Sequence, residues 1–278
     1  MRKGNGAMNG FFTRAALAFA TLAAVNSFAK ADEVRAPYAA VYMTQKGEKM
    51  FFSVPRDFDA QKPITIVVYF HGLLTDETFE EVLARQRVAE QVEAAVVNAV
   101  LVAPSLAARP KKRAALFAKR DSFKKFLKEA TAAMAKATRV SPSVFVHARV
   151  VIVAYSGGHL PVKMAIARGG IALDGVVLLD AHYGSQKIFA EQAIRFSRQR
   201  SGFFVSSYMY ASSERGKEFE KMLEKAGVPF TWHFQDGRLS PGSVVVKKIE
   251  ASGLHYDFVT EAWTQNPITD VLKKAYGQ

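Results

Sequence analysis

Val150-Val151-Ile152-Val153-Ala154-Tyr155-Ser156-Gly157-Gly158-His159 drives an apolar run of strand length into a serine flanked by small residues, and a helical pattern continues to Arg168. A serine so placed sits on a sharp strand-to-helix turn, its hydroxyl raised above the edge of a sheet. The positions two before and two after it must be small, because the turn brings those backbones close together. Ala154 and Gly158 meet that demand, with alanine standing where glycine is usual. The stretch therefore reads as a nucleophile elbow.

Working outward, similar apolar runs recur at Ile64–Phe70, Ala99–Ala103, Gly175–Leu179, Phe203–Tyr208 and Ser243–Ile249. Ahead of them, Ala39–Met43 and Lys49–Val54 suggest an antiparallel hairpin turned at Lys46-Gly47. The segments between have helical character: Phe79–Val97, Arg113–Ala137, Gly157–Arg168, Ser185–Arg200 and Ser213–Ala226. Continuous apolar strands alternating with helices predict an α/β fold, a mainly parallel, doubly wound sheet with helices on both faces. Sites in such sheets lie at the carboxyl ends of the strands.

The residues at those ends are chemically distinctive. His71-Gly72-Leu73 follows the first buried strand and Ser156-Gly157 ends the central one. Asp180-Ala181-His182 ends the next, and Gly253-Leu254-His255-Tyr256 follows the last. An apolar helix is expected from Tyr256 to Trp263. With the order Ser, Asp, His, the chain resembles the α/β-hydrolase family over roughly residues 60–278. The resemblance implies one hydrolase domain over residues 32–278 and an acyl-enzyme formed on Ser156. His255 would be the general base and Asp180 the orienting acid. It also implies an oxyanion hole made by the N–H groups of Gly157 and Leu73, the latter on the His71-Gly72 loop.

Each role answers a chemical need. A serine hydroxyl is a weak nucleophile until a base takes its proton. The base needs a carboxylate to fix its tautomer and stabilise its cationic form. The acid has two candidates: Asp180 directly ends its strand, whereas Glu214 lies one strand later, where most of the family carries it. Asp236 and Asp257 are lesser candidates, and Asp236-Gly237 suits a turn. His71 suits a loop-shaping role. His159 and His182 fall near the site, and His147 and His233 carry no signal. No cofactor is implied, and no His/Asp/Glu cluster has metal-ligand spacing. Only one helix fits between Ala181 and Gly202, so no large cap domain is expected, and an uncapped site admits bulky or extended acyl groups. Tyr155, Tyr183 and Tyr256 are expected to line it.

The first residues read separately. Arg2, Lys3 and Arg14 precede the apolar run Ala15–Val25, and Ser27-Phe28-Ala29-Lys30-Ala31 ends in small-x-small before Asp32. This predicts a signal peptide over residues 1–31, hence a periplasmic or secreted protein, with an uncleaved anchor as the alternative. Its removal takes away Arg2, Lys3, Arg14 and Lys30 and no acid, lowering the formal charge from +13 to +9. With no cysteine, disulfides and thiol nucleophiles are excluded. Nine basic residues and one acid between Arg109 and Lys128 suggest a solvated helix face with weak attraction to anionic cell-envelope polymers; nucleic acid is not expected as a partner. Function therefore reads as an exported serine hydrolase of an ester or amide. The alternatives are a non-catalytic envelope-binding protein on the same scaffold, and haloperoxidase-like or transferase chemistry on the same three residues.

Overall fold

Strands that are apolar on both sides need cover on both faces, and the chain supplies it. The computed structural model describes residues 38–45, 47–74, 76–209, 213–234, 237–249 and 255–277. The expected signal segment 1–31, Lys46 of the hairpin turn, Asp236, Gly253 and Leu254 lie outside the described residues. Eight strands form one sheet: β1 Tyr38–Met43, β2 Lys49–Val54, β3 Thr65–Phe70, β4 Ala99–Pro104, β5 Arg149–Tyr155, β6 Gly175–Leu179, β7 Phe203–Met209 and β8 Val244–Ile249. Their order across the sheet is β1-β2-β4-β3-β5-β6-β7-β8. The β1–β2 and β2–β4 pairs are antiparallel. Every pair from β4 across to β8 is parallel.

The helices are α1 Phe79–Arg85, α2 Val88–Glu93, α3 Pro110–Ala115, α4 Ser122–Thr138, α5 His159–Arg168, α6 Gln186–Gln199, α7 Ser213–Lys225 and α8 Pro267–Tyr276. The period-2 alternation of strand side chains sorts them into two layers. Val150, Ile152 and Ala154 of β5 point into a core shared with Phe123, Leu127 and Met134 of α4, Val162 of α5, Phe189 and Phe196 of α6 and Phe219 of α7. Val151, Val153 and Tyr155 point the other way, toward Phe79 and Leu83 of α1, Val88 and Val92 of α2, and Ile268, Val271 and Leu272 of α8. The β6–β7 connection holds the single helix α6.

Three helix expectations are corrected. Phe79–Val97 is two short helices, broken where Arg87 turns left-handed (φ 51°). Buried glutamines force the break: Gln86 accepts the Tyr69 hydroxyl at 2.5 Å, and Gln91 donates to Val259 O at 2.9 Å while accepting from Ile268 N at 3.1 Å. Arg113–Ala137 is likewise divided, with Asp121 left-handed (φ 60°) ahead of α4. There the N–H groups of Asp121 and Lys124 donate to Arg168 O and Gly169 O at the end of α5, at 2.9 and 3.0 Å. The orphan donors of one helix thus meet the orphan carbonyls of another. Finally, the helix expected over Tyr256–Trp263 is a short 3-10 turn, His255–Asp257, and the true terminal helix α8 begins at Pro267.

Candidate active site

The elbow follows from three local constraints. Ser156 holds φ 49° and opens a 3-10 turn, Ser156–Gly158, that runs into α5. A Cβ on Gly158 would stand 2.2 Å from Phe70 O, so only glycine fits where the turn crosses β3. Ala154, by contrast, is fully buried and packs its methyl into the core beneath the sheet.

Asp180 is the first residue after β6. It holds φ 43°, is fully buried, and its N–H donates to Ser207 O at 2.9 Å. Its Oδ2 accepts the Nδ1–H of His255 at 2.6 Å and the Tyr183 hydroxyl at 3.2 Å, and its Oδ1 accepts Met209 N–H at 3.4 Å. With that proton held by the carboxylate, Nε2 of His255 is left as the acceptor for the Ser156 hydroxyl, 2.8 Å away. The Tyr155 hydroxyl donates to His255 O at 2.7 Å and ties the end of β5 to the turn that carries the imidazole. The structure thus joins Ser156, His255 and Asp180 in one hydrogen-bonded row. Glu214 lies instead in the exposed first turn of α7, and Asp257, though in the same turn as His255, does not hold the Nδ1 proton.

His71 is buried within the loop after β3. Its Nδ1–H donates to Gly72 O at 2.7 Å and its Nε2 accepts Leu106 N–H at 2.9 Å, so both ring nitrogens are spent on backbone. Burial, reinforced by the Arg113 charge, pushes its pKa down to about 4. Gly72 passes against the elbow: a Cβ there would lie 2.7 Å from Tyr155 Cε1 and 3.2 Å from Ser156 Cβ. The following Leu73 N–H has no hydrogen-bond partner among the described residues. Gly157 lies beside it, since a Cβ on Gly157 would come 3.3 Å from Leu73 Cγ. As the second residue of a helical turn, Gly157 also keeps an N–H without an intrahelical acceptor.

The remaining histidines separate clearly. His159 is buried, with Nδ1 3.1 Å from Ser185 Oγ and its ring 6.0 Å from Tyr183; burial, and then Lys163, Arg215 and Arg113, push its pKa down to about 4. His182 is fully buried against Phe189, Tyr208 and Phe219, its Nε2 hydrogen-bonded to Ser206 Oγ; burial pushes it to about 4 as well. Arg113 overturns part of the basic-face expectation. The other basic residues from Arg109 to Lys128 are exposed, but Arg113 is fully buried among backbone carbonyls of the site's own loops. A charge run gives no sign that one of its members turns inward. Among the described residues, no group of three His, Asp or Glu side chains stands together as metal ligands.

No protein-family model matches the chain, and no curated protein sequence matches it. Among solved structures, a mutant of the feruloyl esterase module from Clostridium thermocellum, complexed with sinapinate, superposes with a TM-score of 0.56 at 13% identity, over 87% of this chain and 87% of its own. A ferulic acid esterase superposes with a TM-score of 0.52 at 14% identity, over 84% of this chain and 96% of its own. A mainly parallel sheet that turns a left-handed serine out of its central strand, and that overlays two esterases over most of its length, has the α/β-hydrolase fold.

Proposed function

We propose that the protein is a serine hydrolase that cleaves carboxylic esters through an acyl-enzyme on Ser156. The observation that carries this reading is the unbroken row from Ser156 Oγ to His255 Nε2 (2.8 Å) and from His255 Nδ1 to a buried Asp180 (2.6 Å). As Ser156 attacks the ester carbonyl, His255 takes its proton and becomes an imidazolium whose Nδ1–H already faces the Asp180 carboxylate. The tetrahedral oxyanion turns toward the N–H groups of Gly157 and Leu73. One such donor is worth about 3 kcal/mol of transition-state stabilisation. His255 then gives its proton to the leaving alkoxide, and water repeats the sequence on the acyl-enzyme.

The rim supports an ester with a bulky or aromatic portion. Leu73, Tyr183 and Tyr256 are large side chains left exposed, and the rings of Tyr183 and Tyr256 lie 6.1 and 6.4 Å from that of His255. That both neighbours are named for ferulic or feruloyl esters agrees with such a substrate. The test is labelling by a fluorophosphonate together with hydrolysis of aryl esters. The wild-type protein should show both, and Ser156→Ala should lose both while keeping its melting temperature. Undiminished labelling of that variant would remove the assignment. A folded wild-type protein that neither labels nor hydrolyses would favour a binding role on the same scaffold.

A further inference from the structure

Among the described residues, Arg113 is a guanidinium with no carboxylate partner. It is fully buried in the last turn of α3, and among the described residues it makes no ion pair. Its hydrogen bonds go instead to three backbone carbonyls: Nε to Ala107 O at 2.6 Å, Nη1 to His71 O at 3.1 Å and Nη2 to Gly72 O at 2.9 Å. A buried cation ordinarily requires a compensating anion, because burial without one is costly. Among the described residues its partners are dipoles, and two of the three belong to the loop that carries the proposed oxyanion donor.

The geometry of the peptide bond makes this consequential. The C=O of Gly72 and the N–H of Leu73 belong to one planar trans unit and point in opposite directions. Gly72 O is held from the protein side by both Arg113 Nη2 and His71 Nδ1. The Leu73 N–H is thereby turned outward, on the side where the loop passes over Ser156. The guanidinium also lies close to the residue that carries the second donor: a Cβ on Gly157 would meet Arg113 Nη1 at 3.3 Å. A single positive charge therefore backs both N–H groups, one through the peptide it polarises and the other by proximity.

We propose that Arg113 is a positioning residue for the oxyanion hole, fixing the Gly72–Leu73 peptide with its N–H toward the reacting carbonyl, and that its uncompensated charge finds its counter-charge in the tetrahedral oxyanion. The inference rests on the serine-hydrolase reading. Burial pushes the pKa of Arg113 down to about 10, which leaves it charged across the neutral range. Because the group is sealed from solvent, it acts through the peptides and not by touching substrate.

The test compares Arg113→Met and Arg113→Lys with the wild type and with Ser156→Ala. Arg113→Met should lower kcat by about 10²- to 10³-fold, the cost typical of losing one oxyanion donor, with KM within a few-fold. Arg113→Lys, which keeps the charge and can still donate to the loop carbonyls, should recover part of that loss. A tetrahedral mimic such as a boronic acid should lose affinity for Arg113→Met in parallel with kcat, whereas the neutral alcohol or phenol product should bind both proteins alike. Equal losses for mimic and product, or a kcat unchanged in a folded Arg113→Met, would overturn the inference and leave the hydrolase reading intact. If neither variant folds, Arg113→Ala is refolded with methylguanidinium in its cavity: return of structure with return of kcat supports the proposal. Return of structure alone, or failure of every variant to fold, makes Arg113 a folding residue and overturns it. An inactive, unlabelled wild type would instead defeat the hydrolase reading itself.

Discussion

Two residues at the site, Ser156 and Asp180, hold left-handed backbone although neither is glycine (φ 49° and 43°). Such conformations cost on the order of 1–3 kcal/mol each and persist only where the surroundings dictate them. For Asp180 the surroundings are its N–H on Ser207 O and a carboxylate that faces His255, Tyr183 and Met209. Replacing Asp180 by Asn preserves this packing but favours the wrong imidazole tautomer, and kcat should fall about 10⁴-fold. Glu214→Gln, in the exposed first turn of α7, should stay near wild type; steady-state kinetics on one aryl ester decide between them, and a large loss in Glu214→Gln would contradict the row described here. At this scale the members of the row were legible in kind, because Ser156 and Asp180 follow directly on strands whose apolar runs are plain and His255 comes a few residues after the last strand. The choice between the two acids was not, because it depends on which strand end lies beside β5 and therefore on sheet order. Arg113 was hidden for another reason: burial of one cation among nine basic residues leaves no trace in charge or periodicity.

Elements were read well where apolar periodicity rules and poorly where polar groups do. The strands came through with ends within a residue or so, since each is a continuous buried run. The breaks at Arg87 and Asp121 were missed, because they are made by buried glutamines and by helix-end carbonyls, neither of which alters hydrophobic spacing. Helix α8 was missed because its apolar stripe is short and stands behind a run of polar residues from Thr264 to Asn266. The junction of β5 with α5 carries a prediction of its own. A methyl at position 158 would press on the Phe70 carbonyl of the adjacent strand at 2.2 Å. Gly158→Ala should therefore cost about 1–3 kcal/mol through overpacking, seen as a melting temperature lower by roughly 2–12 °C for a domain of this size, and should lower kcat as Ser156 is displaced. An unchanged melting temperature would show that the two elements are less tightly apposed.

For the molecule as a whole, three buried histidines couple folding to acidity. His71, His159 and His182 have pKa values pushed down from 6.5 to about 4 by burial. The unfolded chain binds these protons below about pH 6.5, and the folded one only below about pH 4. Stability is therefore complete above pH 6.5 and is lost as pH falls through that window, with unfolding taking up nearly three protons. The steepest slope from these groups is about 4 kcal/mol per pH unit. Urea unfolding at successive pH values should show the free energy falling from pH 6.5 to 4.5; a flat profile would mean that the imidazoles protonate without unfolding.

The hydrogen-bonded row also has an order in time. Ser156 and Asp180 lie well before His255 in the chain, by 99 and 75 residues respectively. A ribosome has finished the elbow, the His71-Gly72 loop and Asp180 long before His255 is synthesised. A nascent chain halted anywhere short of position 255 holds a serine already placed for attack with nothing to take its proton. On the proposed reading, reactivity is withheld until position 255 has been synthesised, and a product interrupted before it is inert rather than unregulated.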